Sequence, residues 1–232
     1  MATKRSKRYQ KAAQLVEVGK SYSLADAAEL LKKFPAPKFD QTVTLSFKMG
    51  VDPRKSDQMV RDTCALPHGS GQDVRVAVFA TGEAAEAAKA AGAEFVGYED
   101  LIKKVQEGFT DFDVAIATTA AMAEVRKIAR VLGPRGLMPN PKTGTVTDDT
   151  AKAIKEVKAG RVDYKLDKNG NIAVPVGKVS FEPTQLAENA VAVVESVLRA
   201  KPATAKGNYV QAVTMAATMS PGVEIETAVF TR

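Results

Sequence analysis

The strongest constraint on this chain is a change of hydrophobic rhythm that happens twice. Residues 42–49 alternate strictly, with Val43, Leu45, Phe47 and Met49 set against Thr42, Thr44, Ser46 and Lys48. A period of two places one set on a buried face and the other on an open face, so a half-buried strand is expected. Between residues 68 and 159 the texture differs. Apolar stretches at 74–79, 94–97 and 114–117 alternate with helical patterns at 82–91, 98–108, 122–132 and 148–158. Strands alternating with helices imply crossovers and a parallel sheet. Beyond Gly160 the first rhythm returns, at 161–166, 171–176, 209–218 and 223–230. A long helix over 183–200 interrupts it, burying Leu186, Ala190, Val193, Val194 and Val197. The chain therefore reads as α/β, with a discontinuous domain made of residues 1–67 and 160–232 and an insert at 68–159. Two adjacent crossings make a natural hinge. Pro67, Gly69 and Gly71 lie in a flexible break at the first crossing, and Gly160 marks the second.

Local punctuation adds detail. Residues 5–18 form an amphipathic pattern with Ala12, Leu15 and Val16 on one face. Ser23 with Asp26 resembles a capping box, and Pro35 and Pro37 end the helix that follows. Asp167-Lys168-Asn169-Gly170 separates two strand patterns, and Asn-Gly there predicts a hairpin.

Charge narrows the choice of partner. The net charge is +6. Residues 1–67 carry 13 Lys/Arg against 7 Asp/Glu, residues 68–159 carry 12 against 13, and residues 160–232 carry 8 against 7. The excess lies in the discontinuous domain, which favours a polyanion there. No run of about 18 apolar residues exists, so no membrane span is expected. The single cysteine, Cys64, cannot close an internal disulfide and fits a reducing compartment.

Catalytic signatures are missing. The sequence holds no P-loop, no nucleophile elbow and no zinc spacing. The turn Ala80-Thr81-Gly82-Glu83 lacks the dinucleotide glycine fingerprint. Cys64 and His68 lie four apart, but a metal needs further ligands, so a buried thiol and a surface histidine are the expectation, with no metal and no cofactor.

Four segments and a basic N-terminal run invite a partner. Lys38-Phe39-Asp40-Gln41-Thr42 sets an aromatic beside a cation at the mouth of a strand. By pattern alone Phe39 reads as core, while the pairing with Lys38 also suits a ribose or base over a phosphate contact. Arg54 and Lys55 sit in a mixed-charge loop, Asp52-Pro53-Arg54-Lys55-Ser56-Asp57, that reads as solvated. Gly133 to Gly144 reads as a rigid loop closing the insert's sheet, in which Arg135 and Lys142 can reach phosphate. Residues 125–147 hold five Lys/Arg and no Asp/Glu. Thr218-Met219-Ser220-Pro221-Gly222 reads as a turn whose Thr218 suits a 2′-hydroxyl and whose Met219 suits a shallow groove. Lys4, Arg5, Lys7, Arg8 and Lys11 make a basic arm or a solvated helix end.

Longer runs carry a resemblance. Phe39-Asp40-Gln41-Thr42-Val43, the stretch from Gly50-Val51-Asp52-Pro53-Arg54-Lys55 to Arg61, and Leu66-Pro67-His68-Gly69-Ser70-Gly71 resemble the bacterial form of the large-subunit ribosomal L1 family. So does Leu132-Gly133-Pro134-Arg135-Gly136-Leu137-Met138-Pro139-Asn140-Pro141-Lys142-Thr143-Gly144, and the likeness runs in order along essentially the whole chain. The resemblance implies a two-layer α/β domain built from both chain ends and a Rossmann-like three-layer insert. It implies binding to a bent helical region of large-subunit rRNA, as the mobile stalk near the tRNA exit site. It further implies help in releasing deacylated tRNA, repression of the chain's own operon mRNA, a cytoplasmic monomer when free of the ribosome, and no catalysis. By the family's pattern, Lys38, Phe39, Thr42, Asp167, Lys168, Gly170, Thr218 and Met219 would contact RNA, with Arg54, Lys55, Arg135 and Lys142 as secondary contacts. Two positions depart from that pattern: Ser220 replaces a usual glycine and Ala212 a frequent serine. A Cβ and a hydroxyl at 220 would then have to fit against the RNA backbone.

Overall fold

The computed structural model describes residues 5–17, 19–205, 207–227 and 230, excepting the side chains of Ser56 and Lys142. Lys4 of the basic arm and residues 228 and 229 of the last strand pattern lie outside the described residues. In chain order the elements begin with α1 (Lys7–Gln14), α2 (Leu24–Lys32), β1 (Thr42–Met49) and β2 (Arg61–Ala65). Next come β3 (Val76–Phe79), α3 (Glu83–Ala90), β4 (Phe95–Gly97), α4 (Glu99–Gln106), β5 (Val114–Ala117), α5 (Met122–Val125), α6 (Ala129–Arg135) and α7 (Thr150–Lys158). Last are β6 (Arg161–Lys165), β7 (Asn171–Lys178), α8 (Pro183–Arg199), β8 (Val210–Ala217) and β9 (Val223–Ile225). The chain divides into two compact units, Met1–Gly71 with Val162–Arg232, and Gln72–Arg161.

The first unit is a sheet of order β7-β1-β8-β9, with its strand pairs antiparallel. The alternation in β1 does what its period requires: Val43, Leu45, Phe47 and Met49 are buried, while Ser46 and Lys48 are exposed. Ile172, Val174 and Val176 of β7 and Val213 and Met215 of β8 join the buried face. Helices α2 and α8 pack together and supply the other half of this core, through Leu31, Leu186, Val193 and Val197. Each such fully buried aliphatic side chain stabilises by roughly 1.5–3 kcal/mol. Ser23 caps α2 by accepting the Asp26 N–H at 3.2 Å, as its spacing predicts. Helix α8 starts at Pro183 under a reciprocal pair between Glu182 and Gln185. Helix α1 is shorter than its sequence pattern; it buries Ala12 but leaves Leu15 exposed.

The expected hairpin is not formed. Strand β6 pairs with β2 in a separate two-stranded sheet, and β7 pairs with β1. The tight two-residue turn favoured by Asn-Gly needs positive φ at both positions. Here Gly170 has φ 80°, but Asn169 does not have a positive φ. The loop is instead organised by Asp167, whose carboxylate accepts the N–H groups of Asn169 (2.8 Å) and Asn171 (2.7 Å). Gly170 then passes its carbonyl to the Met49 N–H at 2.9 Å, which starts β7 on β1 rather than on β6.

The segment read as a flexible break is tied down. Asn189, fully buried on α8, accepts the His68 N–H at 3.1 Å and donates to the carbonyls of Gly69 (3.1 Å) and Val176 (2.7 Å). His68 also pairs with Glu188. Gly71 has φ 68°, and a Cβ there would meet the Phe181 ring at 2.9 Å. Residues 67–71 therefore belong to the first unit, and the unit boundary falls after Gly71 rather than after Pro67. At the other crossing it falls after Arg161, close to Gly160, whose φ is 101°.

The second unit is a parallel sheet of order β4-β3-β5, which Val146 extends by a bridge to Ala117. The fully buried β3 sends Ala77 and Phe79 to one face and Val76 and Val78 to the other. Leu101, Ile102, Val105, Val125, Ile128 and Leu132 cover the first face, and Ala88, Ile154 and Val157 cover the second. Helices on both faces make three layers, the arrangement a parallel sheet demands. The stretch read as a loop from Gly133 begins later, because Gly133, Pro134 and Arg135 complete α6 before Gly136 ends it with φ 76°.

Candidate nucleic-acid interface

Helices cover one face of the first unit's sheet; the polar half of the alternation forms the other. Thr44 lies opposite Pro175 and Ala216, Ser46 opposite Ala173 and Thr214, and Lys48 opposite Asn171 and Ala212. These side chains are short except for Lys48, so the face is shallow and polar. Ala212 lies beside Lys48 on this face and adds only a methyl to it.

The residues predicted to contact RNA fall at the two ends of β1, not in one cluster. Seven residue steps separate Thr42 from Met49, a distance of about 23 Å along a strand. At the Thr42 end, Lys38 and Phe39 are exposed, and Phe39 keeps 49% of its surface open. That overturns the core reading of Phe39. The neighbouring Asp40 is fixed by the Ser180 hydroxyl at 2.7 Å, which holds the segment across the sheet edge and leaves the ring outside. Thr42 and Thr218, 176 positions apart, keep one backbone bond, from the Thr218 N–H to the Thr42 carbonyl at 3.1 Å, and add side-chain contacts to it. The Thr218 hydroxyl accepts the Thr42 N–H and donates to the Thr42 carbonyl, each at 3.2 Å. The Thr218 proton is thus engaged within the protein. Lys178 donates to the Thr42 hydroxyl at 2.9 Å. Met219 follows, 69% exposed, and Arg8 of α1 reaches its carbonyl at 3.5 Å.

At the Met49 end, Asp167 holds the loop that presents Lys168. Backbone N–H groups, that of Asn171 foremost, hold its carboxyl below the ordinary Asp range. Gly170 lies close under β1, with an added Cβ 3.6 Å from the carbonyls of Met49 and Val51. Arg54 and Lys55 are exposed in the adjoining loop, where Asp52 accepts the Arg54 N–H at 3.1 Å. Among the described residues no ion pair engages Lys48, Arg54, Lys55 or Lys168. Four cations thus gather at this end with their charge available.

Arg135 lies in the second unit, where its guanidinium meets the Thr110 hydroxyl. The Lys142 side chain is outside the described residues. The loop around it is compact: Asn140 and Thr145 bond reciprocally, and Thr143 and Thr145 are buried. Cys64 is buried in the first unit, and burial raises its thiol pKa.

Sequence reasoning missed Lys48 and Lys178, and it named Arg8 only as part of a basic arm or a solvated helix end. The polar half of the 42–49 alternation contained the signal for Lys48. Nothing local marked Lys178, or the placing of Arg8 beside Met219, because each joins the site through contacts across more than 130 residues.

Comparison with known proteins fits this arrangement. Residues 31–221 match the model of the ribosomal protein L1p/L10e family. Two curated relatives, each named large ribosomal subunit protein uL1 and each from a strain of Corynebacterium glutamicum, are 53% identical over 227 residues, covering 98% of this chain and 96% of theirs. A match over this span, with identity at that level, establishes that the chain belongs to the ribosomal protein L1p/L10e family.

Proposed function

We propose that this chain is a constituent of the large ribosomal subunit and binds large-subunit rRNA through the open sheet face and both ends of β1. As a ribosomal protein it is not an enzyme, and its place is on the ribosome in the cytoplasm. The observation that carries the reading is the shallow polar face, bordered at one end by cations that no ion pair among the described residues engages and at the other by exposed Phe39 and Met219.

A-form RNA hides its bases in a deep, narrow major groove and exposes 2′-hydroxyls in a wide, shallow minor groove. A low face of threonine, serine and alanine suits the shallow groove, because the one long side chain on it, Lys48, stands toward the Met49 end. Lys38 and Lys168, beyond opposite ends of a strand about 23 Å long, meet separate phosphates and so read the shape of a bent helix rather than its sequence. Phe39 packs on a ribose or base, and Met219 fills the groove. Arg54 and Lys55 add charge at the Lys168 end. In this reading Thr42, Asp167, Gly170 and Thr218 act by shaping the backbone that carries these groups.

The same surface serves the finer roles that the family resemblance implies: the mobile stalk by the tRNA exit site, release of deacylated tRNA, and repression of the operon mRNA through a similar RNA element. The two crossings, at Gly71 and Arg161, are the proposed hinge. In the second unit, Arg135 and Lys142 are secondary contacts.

A gel-shift titration with the stalk fragment of large-subunit rRNA, at several salt concentrations and against an unrelated RNA of equal length, tests the proposal. Tight binding that survives competitor is expected. Binding equal for both RNAs and gone at moderate salt would reduce the face to a merely basic surface.

A further inference from the structure

The turn that carries Met219 is strained where it is most exposed. Strand β8 ends at Ala217, the chain reverses through Thr218 and Met219, and the Ser220 N–H closes the turn on the Ala217 carbonyl at 3.0 Å. Met219 holds the third position with φ 61°, the one non-glycine residue in the left-handed region among those described. Turns with positive φ at that position favour glycine or asparagine, because a larger side chain's Cβ crowds the following carbonyl oxygen. Burial does not offset this strain, since Met219 is also the most exposed large apolar residue described.

The side chain of Ser220 holds the turn. Its hydroxyl accepts the Ala217 N–H at 2.9 Å and donates to the Pro221 carbonyl at 2.9 Å. Thr218 bonds toward β1, so the N–H of Ala217 points to the opposite side, toward β9. There β9 pairs with β8 only from Val213 to Met215, so no strand among the described residues receives that N–H. Both backbone groups of Ala217 are therefore closed on one residue. Ser220 has no positive φ of its own, so its Cβ costs nothing. Its hydroxyl proton is already given to Pro221, and the group faces the turn rather than outward to a ligand.

We propose that Ser220 is a positioning residue for RNA binding: its hydroxyl locks residues 217–220 in the conformation that presents Met219, without contacting RNA itself. The proposal rests on the placement of the Met219 turn in the RNA surface. It answers the steric question that a serine raises at this position, because the hydroxyl lies inside the turn and supports the strained residue.

The test uses the full chain with Ser220→Ala, Ser220→Thr, Met219→Ala and the double variant Ser220→Ala/Met219→Ala. The Met219 backbone coupling and methyl resonance are read by NMR without RNA, and affinity for the stalk fragment is read by titration. Thermal midpoints control for folding. We expect Ser220→Ala to move the Met219 signals and weaken binding about two- to tenfold, the worth of one net hydrogen bond. Ser220→Thr should restore both. In the Met219→Ala background, loss of the Ser220 hydroxyl should leave affinity nearly unchanged. Unmoved Met219 signals, unchanged affinity in Ser220→Ala, or an equal loss in both backgrounds would each overturn the proposal. Failure of the parent chain to prefer the stalk fragment would instead sink the RNA reading itself and this inference with it.

Discussion

Asn189 joins helix α8 to the first chain crossing, and replacing it should cost the first unit more than any surface change. The side chain is 0% exposed and makes three bonds to backbone groups, those of His68, Gly69 and Val176. Asn189→Leu keeps the branching and the number of heavy atoms but leaves one N–H and two carbonyls without their partner. An unsatisfied buried group costs about 1–3 kcal/mol. The Val176 bond is fully buried, whereas the Gly69 and His68 bonds are part-buried and water recovers some of their loss. The sum is a destabilisation of about 3–5 kcal/mol. Native-state hydrogen exchange at β1 and β7 amides reads this loss for the first unit alone, free of the second unit's unfolding. Asn189→Asp should be at least as damaging at neutral pH, since it sets a carboxylate against two carbonyl oxygens. A loss below about 1 kcal/mol in Asn189→Leu would refute the argument, for the crossing would then be held by something other than this amide.

Other outcomes follow from the same geometry. Tyr209 is buried with its hydroxyl unpartnered among the described residues, so Tyr209→Phe should stabilise the first unit by about 1 kcal/mol in urea unfolding. Burial also pushes its pKa up to about 12, above the ordinary value of about 10. The folded state therefore retains that proton longer than the unfolded chain. Stability is full below pH about 10 and declines as pH rises toward 12, and Tyr209→Phe should show less of this alkaline loss. Asp167 has the opposite sign: its carboxyl is held below the ordinary Asp value by backbone N–H groups. Its stabilisation of the loop is present above pH about 4 and lost as pH falls through the folded pKa. The Asn171 amide shift should accordingly titrate with a midpoint below about 3.9, and Asp167→Asn should abolish that titration. Lys168→Ala should lower the slope of log affinity against log salt by about one phosphate's share, roughly 0.7–0.9. An unchanged slope would mean Lys168 touches no phosphate.

Local pattern was enough to identify most of the elements. Periodicity placed β1, the helices of the insert and α8, because the buried face of each recurs at the period of its own backbone. The Ser23 cap and the apolar face of α8 were legible for the same reason: every group involved lies within a few residues of its partner. The long motif runs likewise carried the family resemblance by themselves. What the sequence could not decide was which strand pairs with which. Residues 161–166 and 171–176 look like a hairpin until β1 and β2 compete for them, and only the assembled sheet shows that β7 belongs to β1. Phe39 read as core because its neighbourhood on the sheet edge is set by Ser180, 140 positions away. Arg8, Lys178, Thr42 and the Met219 turn meet for the same kind of reason. Ser220 looked like a bulky substitution against RNA until its hydroxyl was found turned toward Ala217. Hydrogen-bond periodicity along a strand is encoded residue by residue, whereas the partner across the sheet is chosen by the burial of a shared core, and that choice exists only once the whole fold has formed.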